Sequence, residues 1–144
     1  MQFSHRFTVA VHVLLCIAEY SGVEKTTSNF LARSVNVNPV VIRQVLGQLK
    51  DAGLVKVEAG VGGATLAMAP REISLWDVFR AVEKSEEPLF HFHDNPNPAC
   101  PVGRVVHAVM DQRLEDVKAS FARSLKDVTL ASLINDMKKE MGAN

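Results

Sequence analysis

The sequence predicts a mostly α-helical protein with one small β-hairpin. Two short helical patterns lie close together within residues 26–53, and a glycine-rich stretch follows them directly. Beyond an irregular segment, residues 103–125 carry one continuous apolar stripe at helical spacing. These three observations predict a winged helix-turn-helix domain, with the hairpin as its wing, followed by a long C-terminal dimerisation helix.

The first predicted helix is apolar on almost every side. Residues 7–20 read FTVAVHVLLCIAEY, and an apolar run of this length between polar flanks is typical of a buried helix. Ser4 is a suitable N-cap, and Ser21 with Gly22 ends the pattern. Cys16 lies inside this run, where a free cysteine behaves as a small buried hydrophobe, so we expect a structural role for it.

Two further helices follow at the spacing of a helix-turn-helix. The run Thr26, Thr27 and Ser28 offers N-caps for a short helix, and Asn38 with Pro39 is a strong start signal for the next. The second of these has apolar residues at i, i+3, i+4 and i+7 and a glycine after its end: Ile42, Val45, Leu46, Leu49 and Gly53. Its opposite face is small and polar, with Val40, Arg43, Gln44, Gly47 and Gln48. Since arginine can bind guanine and glutamine can bind adenine in the major groove, this face is the candidate for reading DNA.

The wing is predicted from residues 54–70. The segments VKV and ATLAM read as short strands, and Gly60, Gly62 and Gly63 form the turn between them. Glycines allow a backbone to approach a phosphate or a groove wall closely. This hairpin is therefore the second candidate contact with DNA.

The second half of the chain predicts three more helices and one connector. Ser74 and Asp77 form a capping box at the start of a helix with the stripe Leu75, Val78, Phe79 and Val82. Residues 84–102 are irregular, and Thr129 caps a last helix whose inward residues are Leu130, Leu133, Ile134 and Met137.

The long helix between them is predicted to pair two subunits. Its apolar stripe is Val106, Met110, Leu114, Val117, Phe121 and Leu125. Little else in so short a chain is left to cover this stripe, so we expect a dimer interface. The predicted organisation is a winged domain at 1–84, a connector and sensor loop at 85–102, and dimerisation helices at 103–144.

Composition narrows the class of protein. The 144 residues are 47% hydrophobic and 22% charged, which suits one small domain with an appendage and some apolar surface covered by a partner. No run approaches the ~20 apolar residues of a membrane span, and no signal-peptide cleavage site follows the first apolar run, so we expect a cytoplasmic protein without membrane contact. Two cysteines do not make a disulfide scaffold. Because the net charge is zero, nucleic-acid binding would depend on a local basic patch.

The connector contains the side chains of the chain that are best suited to chemical reactions or metal binding. Within HFHDNPNPACPVG the prolines fix φ and extend the residues before them, which predicts a stiff joint. If the long helix begins near Pro101, its dipole lowers the pKa of Cys100 and favours a reactive thiolate; the alternative is a buried thiol that fastens the loop to the helix. Residues of types that bind zinc or iron also lie here: His91, His93, Cys100 and His107. Their spacing matches no standard motif, so we expect hydrogen-bonding histidines, with neither metal nor cofactor.

Five motifs occur in a specific order along nearly the whole chain. They are SHRFTVAVHVL, SVNVNPVVIRQVLGQLKDAGLV, GVGGATLA, ISLWDVFRAVE and HDNPNPACPVG. In this order they resemble the Rrf-two family of bacterial winged-helix repressors. Cluster-binding members of that family carry three cysteines in the loop, whereas this loop has only Cys100, so the chain resembles the subgroup without an iron–sulfur cluster.

The resemblance implies a homodimer on a palindromic operator in double-stranded DNA. It implies base-facing residues at Asn38, Val40, Arg43 and Gln44. It implies phosphate contacts from Ser4, Arg6, Thr27, Ser28 and Arg33, and a wing tip shaped by Gly60 and Gly62. The family often has a basic residue at the start of the wing, where this chain has Glu58, Ala59 and Gly60, so the match does not extend to minor-groove reading by a wing arginine.

Two other classes of protein fit parts of the pattern. A winged helix can bind protein instead of DNA, and the neutral charge favours that alternative. Cys100 with a histidine could be the nucleophile and base of an enzyme, but no acidic orienting residue, phosphate loop or hydrolase elbow accompanies them. We therefore expect a DNA-binding regulator and not an enzyme. Cys100 is its candidate site for a redox response.

Overall fold

The computed structural model describes residues 5–58, 63–83 and 89–142 of the chain. It contains a mostly helical fold with one two-stranded antiparallel hairpin, so the predicted fold class is confirmed. The elements in chain order are α1 (Arg6–Tyr20), α2 (Ser28–Val35), α3 (Pro39–Asp51), β1 (Val55–Glu58), β2 (Gly63–Leu66), a 3-10 turn (Pro70–Glu72), α4 (Leu75–Val82), α5 (Pro101–Lys126) and α6 (Leu130–Gly142).

Helix α1 is the centre of the core because its apolar residues point in several directions. Val13, Leu14 and Ile17 are fully buried, and α1 packs against α2, α3, α4 and α6. Its N-cap position is occupied by His5, whose side chain makes no capping hydrogen bond. Ser4, the predicted cap, lies outside the described residues.

The helix-turn-helix forms where the local signals predict it. The Thr27 side chain caps α2 by accepting a hydrogen bond from the Phe30 amide, and Asn36 then turns the chain with a left-handed φ of 64°. Asn38 caps α3 by accepting from the Val40 amide at 2.9 Å, with proline in the first turn. These caps satisfy amides at both helix starts and hold the turn between the helices short.

The hairpin packs closely against the segment that precedes α2. Val55 pairs with Leu66 and Glu58 with Gly63, so the second strand is shorter than the predicted ATLAM segment. Gly63 has φ +73°, and a Cβ at this position would lie 2.9 Å from the backbone of Thr26. Only glycine fits this close approach, which brings the hairpin onto the segment that precedes α2. Gly60 and Gly62 lie outside the described residues.

The C-terminal helices are tied to the winged domain at one junction. The predicted capping box between Ser74 and Asp77 is present at the start of α4. Backbone hydrogen bonds join this start to the α5–α6 junction: the Leu75 amide donates to the Val128 carbonyl, and the Leu130 amide donates to the Ile73 carbonyl. These bonds hold the end of α5 against α4.

Helix α5 begins at Pro101 and not, as predicted, at Gly103, because Cys100 takes the N-cap position and proline suits the first turn. Each of its 26 residues keeps at least partial exposure to solvent. Within the part of the chain that the structure describes, no helix is both long enough and apolar enough to cross a membrane.

Candidate nucleic-acid interface and sensor loop

Helix α3 divides into a buried face and an open face. Ile42, Val45 and Leu49 are fully buried against the core, whereas Val40 is 51% exposed. The other predicted base-facing residues, Asn38, Arg43 and Gln44, are also exposed. The same turns of α3 therefore bury one apolar stripe and present a small polar surface outward.

Arg6 connects the start of α1 to this outward face. Its guanidinium donates to the Gln44 side-chain oxygen at 2.9 Å and to the Gln48 side-chain oxygen at 3.2 Å. Guanidinium has only donors, so the amide oxygens of both glutamines are turned toward Arg6 and their NH₂ groups are turned away. Sequence reasoning placed Arg6 at a phosphate and missed this contact, which joins residues 38 and 42 positions apart.

A groove of about 370 Å³ lies beside α3, between the start of α2 and the hairpin. Its positively charged side chains are Arg43 and Lys50, and Glu58 on β1 is its acidic member. Thr27 and Ser28 line it as well, at the N-terminus of α2, where amides and hydroxyls can donate to an anion. Lys50 was not among the predicted site residues, although its place in the last turn of α3 puts it beside the groove.

Thr26 holds the hairpin in place beside this groove. It is a buried polar residue, and its hydroxyl donates to the Ala64 carbonyl while its own carbonyl accepts from the Ala64 amide. Arg33 lies exposed in the last turn of α2, away from these contacts. Ser4, Gly60 and Gly62, the remaining predicted DNA-contacting residues, lie outside the described residues.

Cys100 is exposed and stands at the N-terminus of α5. The backbone N–H of Gly103, and after it that of Val102, lower the pKa of this thiol below its ordinary value because both stabilise the thiolate. The Cys100 amide donates to the Asn97 carbonyl at 3.1 Å. A Cβ on Gly103 would lie 2.5 Å from that same carbonyl oxygen, so glycine is needed for the loop to sit this close to α5.

Phe92 of the loop stacks on two histidine rings. Phe92 stacks on His107 of α5 with ring centroids 3.7 Å apart, and it stacks on His93 at 5.0 Å. His107 also lies 3.5 Å from Asp111. Within the described ranges, no three His, Cys, Asp or Glu side chains are grouped so that they could hold a metal ion.

Cys16 is buried, in the structural position that its apolar run predicts. Its sulfur lies 3.1 Å from the Ser34 hydroxyl, and the same hydroxyl lies 3.0 Å from Nε2 of His12. The sequence did not single out His12 or Ser34, since no local pattern joins two residues 22 positions apart on different helices.

The predicted dimer stripe is open along much of α5. Met110 is 39% and Val117 49% exposed, and Val106, Leu114 and Phe121 are partly buried. Phe121 owes its cover to Phe79 and Trp76, whose rings lie 5.3 and 6.5 Å from its own. Other exposed apolar residues widen the stripe toward the start of the helix: Val102, Val105 and Val109.

Comparison with known proteins agrees with this architecture. Residues 3–136 match the model of the Rrf2 family, described as an iron-dependent transcriptional regulator. YwnA of Bacillus subtilis (strain 168), named as an HTH-type transcriptional regulator, is 43% identical over 92% of this chain and 96% of its own.

Solved structures show the same fold. A crystal structure named as that of a DNA-binding protein is 36% identical, covers 90% of this chain and 98% of its own, and superposes with a TM-score of 0.69. The T. potens IscR structure, 24% identical over 97% of this chain and 90% of its own, shares the fold with a TM-score of 0.71. The family match sets aside the enzyme and the winged helix that binds only protein. The chain belongs to the Rrf2 family, the Rrf-two family of the motif comparison, and is a DNA-binding transcriptional regulator.

Proposed function

We propose that the protein is a homodimeric repressor that binds a palindromic operator through α3. The observation that carries the proposal is the outward face of α3 beside a groove with two cations, Arg43 and Lys50. A neutral chain that binds DNA needs such a local patch, since its overall charge gives no attraction to phosphate.

The operator contacts divide into base readers and phosphate contacts. Arg43 is the proposed reader of guanine, and Asn38 and Val40 lie beside it on the same exposed face. Thr27, Ser28 and Lys50 line the groove at the start of α2 and would bind phosphate oxygens. Arg33, exposed at the end of α2, would contact phosphate farther along the backbone.

Gln44 would read an acceptor rather than adenine. Adenine is bound by a glutamine that presents its oxygen and its NH₂ group side by side, whereas the hydrogen bond from Arg6 turns the Gln44 oxygen toward the guanidinium. The NH₂ group that faces outward offers donors only, and the nearby guanidinium adds positive charge. Guanine O6 and N7 or thymine O4 therefore suit this position better.

Two copies would pair through α5. A helix of 26 residues is about 39 Å long, and its exposed apolar residues extend from Val102 to Val117. A palindromic site read by two-fold related helices needs half-sites about 34 Å apart, one turn of DNA. Pairing along α5 would fix the distance between the two α3 helices at such a spacing.

A redox response is proposed at Cys100, because its thiol is exposed and its pKa is lowered. The thiolate would attack an oxidised low-molecular-weight disulfide, forming a mixed disulfide and releasing one thiol. The attached group would stand where the loop lies against Gly103, and so would loosen the loop from α5. Such a change would alter how the winged domain is held on the paired helices.

The test is binding of the reduced and the disulfide-treated protein to DNA from its own upstream region, across a salt series. We expect salt-dependent, sequence-preferring binding that is lost after treatment and restored by reductant. Cys100→Ser should bind like the reduced protein in both conditions. A Cys100→Ser protein that still releases DNA after treatment would remove the redox role, and binding that ignores sequence would remove the repressor role.

A further inference from the structure

A cleft apart from the proposed DNA-binding face lies where α1, α2 and α6 meet. Its volume is about 460 Å³, and four of its side chains contain sulfur or an imidazole: His12, Cys16, Met137 and Met141. None of the four belongs to the operator contacts or to the loop around Cys100. The cleft is therefore a candidate site for a ligand of its own.

The four side chains form two matched pairs on two packed helices. His12 and Cys16 lie at i and i+4 on α1, and Met137 and Met141 lie at i and i+4 on α6. Residues at this spacing share one face of a helix. Both pairs line the same cleft, and α1 packs against α6.

The hydroxyl of Ser34 contacts both side chains of the α1 pair. It lies 3.0 Å from Nε2 of His12 and 3.1 Å from the sulfur of Cys16. Cys16 is only 6% exposed, whereas His12 is open to solvent. An ion that enters the cleft would meet the imidazole at the rim and the sulfur at the floor.

The geometry points to a binding site for a soft monovalent metal ion, copper(I), held by the Cys16 thiolate, the His12 imidazole and the thioethers of Met137 and Met141. Thiolate and thioether ligands select copper(I), and imidazole also suits copper. Zinc in proteins is held by thiolate, imidazole and carboxylate, and in the described part of the chain no three such side chains are grouped for it.

Binding would release one proton, because the thiol of Cys16 must become a thiolate before it can hold the ion. The proton leaves to solvent, and no electron is transferred when the ion arrives as copper(I). The ion would also join α6 to α1 and, through the Ser34 region, to α2, the first helix of the helix-turn-helix.

The experiment is an anaerobic titration of the reduced full chain with copper(I) against bicinchoninate, a competing chelator with a visible absorbance. We expect one ion per chain at the cleft, and a roughly tenfold or greater loss of affinity in Cys16→Ser, since even indirect partners of a metal ligand contribute this much. The double variant Met137→Leu with Met141→Leu, which keeps side-chain volume, should lose affinity as well. Cys100→Ser is the matched control and should keep the wild-type affinity.

Two results would overturn the site. One is copper(I) binding that is kept in Cys16→Ser and lost in Cys100→Ser, which would move the ion to the loop. The other is unchanged affinity in the double leucine variant, which would show that the thioethers are not ligands. Thermal unfolding without copper establishes that each variant is folded, and the leucine variant still decides the question if Cys16→Ser is not.

Discussion

The winged domain and α5 solve the problem of apolar surface in opposite ways. In the winged domain the helices bury one another, and Leu14, Ile42 and Leu49 are fully covered. On α5 every residue keeps some exposure, although the helix is the longest in the described part of the chain. The winged domain therefore buries its own apolar surface, whereas α5 keeps an exposed apolar side of the kind that a partner covers.

The largest effect should come from the same substitution made once in each region. Leu14→Ala should lower the free energy of unfolding by about 2–5 kcal/mol, because it removes a fully buried side chain and leaves a cavity. Leu114→Ala, on partly buried α5, should cost far less in the monomer. Urea unfolding at several protein concentrations measures both.

A destabilisation by Leu114→Ala that depends on protein concentration would show that α5 is covered by a second chain, because a dimer is stabilised by mass action and an isolated helix is not. Equal losses of unfolding free energy in the two variants at low concentration would contradict the difference between the regions, since α5 would then be as deeply packed as α1.

Charge on the apolar stripe should abolish pairing without unfolding the chain. Met110→Glu places a carboxylate in the middle of the stripe, whereas Ala108→Glu places one on the opposite side, two residues earlier at about 100° per residue. Sedimentation should show a monomer for the first variant and a dimer for the second. A dimer in both would move the interface away from this stripe.

Loss of Arg43 should weaken specific binding by about 1–3 kcal/mol if the side chain holds a guanine. Arg43→Ala should also lose the preference for operator over scrambled DNA. Arg33→Ala, the matched control on α2, should weaken binding to both DNAs alike and reduce the salt dependence. If both variants keep the operator preference, α3 does not read bases through Arg43.

A smaller change should follow from releasing Gln44. Arg6→Ala removes the donor that turns both amide oxygens toward residue 6, so Gln44 could rotate and present its oxygen and its NH₂ group together to a base. Selection of binding sites from random DNA should then admit adenine at one position of each half-site. An unchanged selection in Arg6→Ala would mean that this contact has no part in specificity.

The smallest effect concerns the acidity of Cys100. In Cys16→Ser, where Cys100 is the remaining cysteine, the alkylation rate with iodoacetamide should reach its midpoint at a lower pH in the folded protein than in urea. The sign follows from the lowered pKa of the folded thiol, which has more thiolate at any pH below that midpoint. Equal midpoints would show that the start of α5 does not stabilise the thiolate.

Features that depend on neighbouring residues could be predicted from the sequence. Caps lie within a few residues of the amides that they satisfy, so Thr27, Asn38 and the Ser74–Asp77 box were readable in the sequence and are confirmed. The α5 stripe was readable too, because its spacing is local, although its use for pairing stays a prediction.

Contacts between distant segments carried no such signal. Short sequence patterns do not predict how helices pack. The hydrogen bonds from Arg6 to Gln44 and Gln48 depend on that packing, and so do the contacts of Ser34 with His12 and Cys16. The start of α5 was left between Pro101 and Gly103, because the turn that makes Cys100 the N-cap depends on the close approach of Asn97 to Gly103.

The central claim is that two chains paired along α5 place two α3 helices on one palindrome. Sedimentation of the protein with DNA that carries either both half-sites or one tests it most directly. We expect two 15.8 kDa chains on the full site, and weak binding of the Met110→Glu monomer to it. Tight binding of one chain to one half-site, unaffected by Met110→Glu, would contradict it.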